Sequence, residues 1–206
     1  EEEWPPLTVR EATVGALYLE ETTQESTVDP ETFILSLLRR QSDFSSAKRV
    51  LAYVLRYISA LRGRCRSVDA FVTHPVPPPP PSVEELKDVE KLMIKDAQWR
   101  HFRSEVDALS NKNAREVKRV LNRSASVLRQ LHPFVDQEGI MRVGGRIDRS
   151  SDAWDIRHPI ILPYFDPLIN HFIYHIHEVN SHSGVEFTLA ESRRRFWILK
   201  GRQAIK

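Results

Sequence analysis

Residues 132–147 read HPFVDQEGIMRVGGRI, and their pattern decides the fold class. Upstream of Leu131 the apolar residues recur at helical spacing; here the period shortens to that of strands. Phe134-Val135 and Ile140-Met141-Arg142-Val143 flank Asp136-Gln137-Glu138-Gly139. Aspartate first and glycine fourth is the order a type I turn prefers. The stretch therefore predicts a β-hairpin, ended by Gly144-Gly145. Downstream, His158-Pro-Ile-Ile-Leu-Pro163 predicts a short buried strand bracketed by prolines. With helical patterns on both sides, the expected class is α+β and mostly helical.

Working outward, Ser82-Val-Glu-Glu85 has the order of a capping box. From it, Leu86, Val89, Leu92, Met93, Trp99, Phe102, Val106 and Leu109 carry an apolar helical face to about Ser110. A second, basic helix is predicted from Ala114 to Leu121, so residues 82–130 form a helical region. Residues 75–81 end in five consecutive prolines, which lack amide hydrogens and fix φ, and they read as a stiff polyproline spacer. A docking site for an SH3 or WW domain is the rival reading. Residues 42–74 form a basic amphipathic helical region. Its stripe is Val50, Val54, Tyr57, Ile58 and Leu61, its cap is Ser45 or Ser46, and Arg56, Arg62 and Arg64 lie off the stripe. Residues 1–41 read as an acidic linker with one short strand near Val14–Leu19.

The hairpin and short strand occupy residues 131–163. In residues 164–206, Asp166-Pro167 opens a helix as cap and first-turn proline, with Leu168, Phe172, Ile176 and Val179 on its inner face. Ser183-Gly-Val-Glu186 caps another helix running to about Arg195. No internal repeat is visible.

The chain has 206 residues, 41% hydrophobic and 28% charged, enough for one ordinary domain or two small ones. Thirteen prolines against seven glycines favour extended connectors over flexible ones. Its one cysteine, Cys65, excludes an internal disulfide and fits a reducing compartment. No apolar run reaches the roughly 18 residues of a membrane span, and the start EEEWPP is no signal peptide. A soluble, intracellular chain is expected. Net charge is only +2, yet it is unevenly spread. Residues 1–38 hold nine acids and one base, residues 39–66 eight bases and one acid, and residues 192–206 six bases and no acid. The last group is Arg193, Arg194, Arg195, Lys200, Arg202 and Lys206. Such blocks suit a polyanionic partner, unless acidic and basic segments neutralise each other.

Between Asp166 and Arg195 stand four histidines. His177 and His182 have four residues between them around a helix end, a spacing that supplies two of the four ligands of tetrahedral zinc. Short histidine pairs are also common without metal, so the spacing leaves both readings open. His171 and His175 form a competing pair on one helical face and read as partly buried polar residues. Catalytic constellations are missing. Gly144-Gly145-Arg146 is too short for a phosphate loop, and Cys65 stands between Arg64 and Arg66 with no histidine beside it in sequence.

Read together, HPFVDQEGIMRVGGRI, HPIILP and the string H-x4-H-S-G-V-x-x-T-L-A-x-x-R-x-R-F-W-I-L-K-G-R resemble the polyproteins of BEL/Pao-type LTR retrotransposons. The matching region joins the RNase H-like part to the integrase. The resemblance extends to EEEWP, to SSAKRVLAYVLRYISALRG and to EELKDVEKLMIKDAQWRHFRSEVDAL, and so covers nearly the whole chain. It implies that residues 164–206 begin an integrase N-terminal His-His-Cys-Cys module, an incomplete helical zinc-binding module in this chain. His177 and His182 match its histidines; the C-x-x-C pair would follow G-R-x-A-I-K, beyond Lys206. The zinc here is then a half-site.

The implied function is a non-catalytic fragment that connects polymerase and integrase parts and supports DNA integration. Polymerase and integrase activities would belong to the parent polyprotein. The six basic residues from Arg193 to Lys206 are the expected nucleic-acid contacts, mainly through phosphates. The implied partners are DNA at the element's ends, the integrase catalytic core and a second copy of the chain, in the cytoplasm and nucleus. Neither a membrane nor a small-molecule substrate is expected. The rival reading is a domesticated protein-interaction module with no DNA role. A metallohydrolase is disfavoured, because no carboxylate ligands accompany the histidines.

Overall fold

The structure is a computed structural model that describes residues 33–64, 79–111, 113–123, 126–145, 153–180 and 184–205. The expected strand at Val14–Leu19, the first part of the proline run, Cys65, His182, Ser183 and Lys206 lie outside these residues. The described elements are, in order, α1 (Phe33–Arg40), α2 (Phe44–Arg64), α3 (Val83–Ser110), α4 (Ala114–Arg123) and α5 (Ser126–Gln130). Then come β1 (Phe134–Val135), β2 (Met141–Arg142), α6 (Trp154–Arg157), β3 (Ile160–Leu162), α7 (Pro167–Val179), α8 (Val185–Ser192), β4 (Phe196–Ile198) and α9 (Gly201–Ile205). The protein is α+β and mostly helical.

The hairpin forms as its turn residues dictate. Gly139 donates its N–H to the Asp136 carbonyl at 3.0 Å, and Asp136 Oδ1 accepts the N–H groups of Glu138 and Ile140 at 2.9 Å each. Gly139 sits at φ +79°, open to glycine at no steric cost. The register pairs Phe134 with Arg142 and Val135 with Met141. At Gly144 the backbones approach so closely that a Cβ would lie 2.6 Å from the His132 carbonyl oxygen. Gly144→Ala is accordingly expected to cost about 1–3 kcal/mol, as overpacking against an immobile group does. The check is a thermal melt, in which an unchanged midpoint would show that the hairpin moves aside freely.

The four strands make one sheet in the order β1-β2-β3-β4. β2 and β3 are antiparallel through Arg142 and Ile160, whereas β3 and β4 are parallel, with Ile160, Ile161 and Leu162 opposite Phe196, Trp197 and Ile198. Alternation along the strands gives the sheet two covered faces. Ile160, Leu162, Phe196 and Ile198 pack with α1, α2, α7 and the first half of α3. Met141, Val143 and Ile161 pack on the other face with Phe102 and Leu128, and Trp197 joins them partly buried.

Helix α3 serves both faces because it bends. Its capping box is made in full: Ser82 Oγ accepts the Glu85 N–H and Glu85 accepts the Ser82 N–H. Twenty residues on, Phe102 departs from helical geometry (φ −134°, ψ 30°). Val89, Met93, Ile94 and Ala97, before the bend, join the first core; Phe102, Val106 and Leu109 join the second. Just ahead of the bend Gln98, 1% exposed, inserts its carboxamide between β2 and β3. Its Oε1 accepts the Met141 N–H at 2.8 Å, and its Nε2 donates to the carbonyls of Met141 and Ile161 at 2.8 and 2.7 Å. A side chain thus stands where the two strands would otherwise bond each other.

Several expectations are corrected. The acidic linker assigned to residues 1–41 ends in helix α1, whose Ile34, Leu37 and Leu38 are spaced for one face and fully covered. Helix α2 is capped by Asp43, not Ser45 or Ser46: its carboxylate takes the N–H groups of both serines. Its buried stripe is Phe44, Ala47 and Leu51, with Leu55 packed against it. The expected stripe is rotated outward, leaving Val50 and Tyr57 exposed, because the larger core lies on the Phe44 side. Arg56 does not simply face solvent. Its guanidinium meets both carboxylate oxygens of Glu85 at 2.5 and 2.6 Å and donates to the carbonyls of Pro79 and Pro80. That bidentate bond, with the cap N–H of Ser82, holds the Glu85 carboxyl well below its usual range, at about 2. The end of the proline run is thereby tied to α2. On α7 the buried residues are Leu168, Ile169 and Phe172, while Val179 is exposed. No helix among the described residues is long and apolar enough to cross a membrane.

Candidate functional site

Helices α7, α8 and α9 with strand β4 carry the described histidines and basic residues singled out in residues 164–206. Asp166 fixes where this unit attaches. Its side chain is fully buried, accepts the Leu168 N–H at 2.9 Å as the cap of α7, and meets Arg100 Nη1 at 2.6 Å and His101 Nε2 at 3.0 Å. Arg100 is held in turn by Asp96. Burial pushes the Asp166 carboxyl up, but the His101 hydrogen bond, the Arg100 charge and the cap N–H outweigh it and leave it below its usual range. Pro167 in the first turn needs no N–H partner.

The described histidines divide by direction. His171 Nε2 donates to the Leu38 carbonyl at 2.8 Å, binding α7 to α1, and the His175 ring lies 6.1 Å from that of Phe44 on α2. His177, in the last turn of α7, faces another way. It lines a cavity of about 420 Å³ shared with Tyr174, Gly184 at the start of α8, and Ala204 and Ile205 at the end of α9. The two competing histidines are absent from that lining. Among the described residues no group of three histidine, cysteine or acidic side chains converges as a metal site would require. Among the described residues lining this cavity, the half-buried His177 is the one side chain of a usual zinc-ligand type. A tetrahedral zinc there needs His182 and two ligands from outside the described residues.

The basic residues also divide. Arg195 reaches across to the buried Glu90 at 2.8 Å, a carboxylate it shares with Lys48 of α2 at 3.0 Å. Arg194 pairs along the surface with Glu191 at 3.3 Å. Arg193, Lys200 and Arg202 instead line one groove of about 350 Å³ whose floor is Trp197, Ile198 and Gly201. Among the described residues no carboxylate lines it. The Arg193 guanidinium lies 5.6 Å over the Trp197 ring. Arg202 also pairs with Glu186, and both side chains are mostly exposed. Among the described residues Arg193 and Lys200 have no carboxylate partner.

The sequence reading does not include the aromatic residues beside this groove. Lys200 Nζ stands 5.7 Å over the Tyr164 ring, and Tyr164 lies against Phe165 with ring centres 3.8 Å apart. The parallel pairing explains the juxtaposition, since the chain leaves β3 into Tyr164-Phe165 and leaves β4 into Leu199-Lys200 at the same end. The alternation of cations and aromatics in RRRFWILKGR was the available signal. Comparison of the chain with protein-family models, with curated proteins and with solved structures finds no match in any of the three.

Proposed function

We propose that this chain is a non-catalytic nucleic-acid-binding part of a retroelement polyprotein of the BEL/Pao type, lying between polymerase and integrase portions and supporting DNA integration. The observation that carries it is the convergence of Arg193, Lys200 and Arg202 on one groove with no carboxylate among the described residues of its walls. Such a groove attracts phosphates without reading base edges. Zinc at His177 and His182, completed by a cysteine pair beyond Lys206, would be structural, tying the end of α7 to the chain that follows α9. In this reading the protein is intracellular and acts beside an integrase core.

The test is oligonucleotide binding by fluorescence anisotropy across a salt series. Combined replacement of Arg193, Lys200 and Arg202 by alanine is expected to weaken binding strongly at low salt and to lower the salt slope by roughly 2 to 3. Arg194→Ala, which removes a residue outside the groove, is expected to change little. If the triple variant binds as tightly as the wild type, the groove is not the contact surface and the reading fails.

A further inference from the structure

We infer that the groove, together with the Tyr164–Phe165 surface that its Lys200 reaches, takes single-stranded rather than duplex nucleic acid, with Phe165 as the stacking face for an unpaired base and Lys200 as the phosphate grip. This rests on the nucleic-acid reading above and specifies its ligand. Duplex DNA offers phosphates, but its base faces are occupied by their neighbours in the stack. A surface that shows aromatic faces among cations is suited to bases that are free to stack.

Two independent observations support the choice. The first is Phe165, 74% exposed although aromatic, at the mouth of the β3–β4 pair and in contact with Tyr164. It contributes nothing to either core cluster. Cations stand over two rings in this region, Arg193 over Trp197 and Lys200 over Tyr164, and Tyr164 lies against Phe165. Trp197 packs against the second core cluster, so the ring open to a base is Phe165, linked to Lys200 through Tyr164.

The second is the backbone of Lys200. Its φ of +52° lies in the left-handed region, where glycine is at ease and a residue with a Cβ is strained. The next residue, Gly201, has an ordinary need for its small size, since a Cβ there would come within 3.0 Å of Leu189 Cδ1. At position 200 itself the backbone favours glycine, yet a lysine is present. Strain of this kind clusters at functional positions.

The experiment uses the whole 206-residue chain with two fluorescein-labelled probes at matched salt, an oligo-dT and a hairpin duplex of similar charge. Oligo-dT is expected to bind at least tenfold tighter. Phe165→Ala should weaken oligo-dT binding roughly 5- to 100-fold and leave duplex binding within about twofold. Tyr174→Ala, which removes an exposed aromatic from the His177 cavity instead, should alter neither. Lys200→Gly should weaken oligo-dT binding while raising the melting temperature, which a purely structural role for the lysine would not produce. Equal binding of both probes, or a Phe165→Ala variant that binds oligo-dT normally, overturns the single-strand assignment and leaves the nucleic-acid reading standing. Failure of the wild type to bind either probe overturns both. A Lys200→Gly variant that binds oligo-dT as well as wild type removes the lysine from the site.

Discussion

Gln98→Leu is expected to destabilise the protein by about 3–5 kcal/mol, although leucine matches glutamine in size and the site is buried. Three backbone groups depend on that one carboxamide: the N–H and carbonyl of Met141 and the carbonyl of Ile161. Each buried polar group left without a partner costs about 1–3 kcal/mol, and the hydrophobic gain of one leucine offsets only part of the sum. Gln98→Glu should be at least as damaging, since a carboxylate can keep the Met141 N–H but repels both carbonyls. Urea unfolding monitored by circular dichroism measures the effect as a shift in midpoint at constant slope. A loss below about 1 kcal/mol would mean that β2 and β3 close on each other once the wedge is gone.

The second large effect is expected at Asp166. Removing this carboxylate in Asp166→Ala leaves Arg100 with Asp96 alone, takes the carboxylate from His101 and deprives α7 of its cap. Breaking a buried pair on one side costs about 3–5 kcal/mol, and the lost cap adds about 1 kcal/mol. The pH dependence has a definite sign. The folded carboxyl titrates below its ordinary value of 3.8, so its stabilisation is complete above that value and is lost as pH falls through the folded one. Wild-type stability should therefore fall below about pH 4, and the Asp166→Ala profile should be flatter there. Melting temperatures of both proteins between pH 7 and pH 3 test this; parallel curves would show that Asp166 contributes no acid-sensitive stability.

Signals carried by neighbouring residues were legible in the sequence. The capping box at Ser82–Glu85, the aspartate and proline that open α7, and the turn from Asp136 to Gly139 each hold donor and acceptor within a few residues. Strand β4 was not legible, because Phe196–Ile198 follows α8 after only a three-residue turn and becomes a strand only by pairing with β3. Nor was Gln98, whose partners lie on strands far along the chain. The stripe on α2 was misplaced because two apolar rows run along that helix and only packing against α7 and α3 chooses between them. At the candidate site the basic residues were visible as a cluster, but not which of them ion pairs hold away from the groove. Glu90, the acceptor for Arg195, sits on another helix entirely.

The parallel pairing of β3 with β4 also bears on how the chain is made. Synthesis proceeds from the N-terminus, so α3 exists before the hairpin and β3 that it separates and covers. The last partner, β4, comes only after α7 and α8 have been added. Until then β3 is an open edge of Ile160, Ile161 and Leu162, all buried in the finished fold, and such an edge invites pairing with another nascent chain. The segment that brings Lys200 to the groove is thus also the cover that closes the sheet, and a ribosome that stalls before Phe196 would release a chain primed to aggregate.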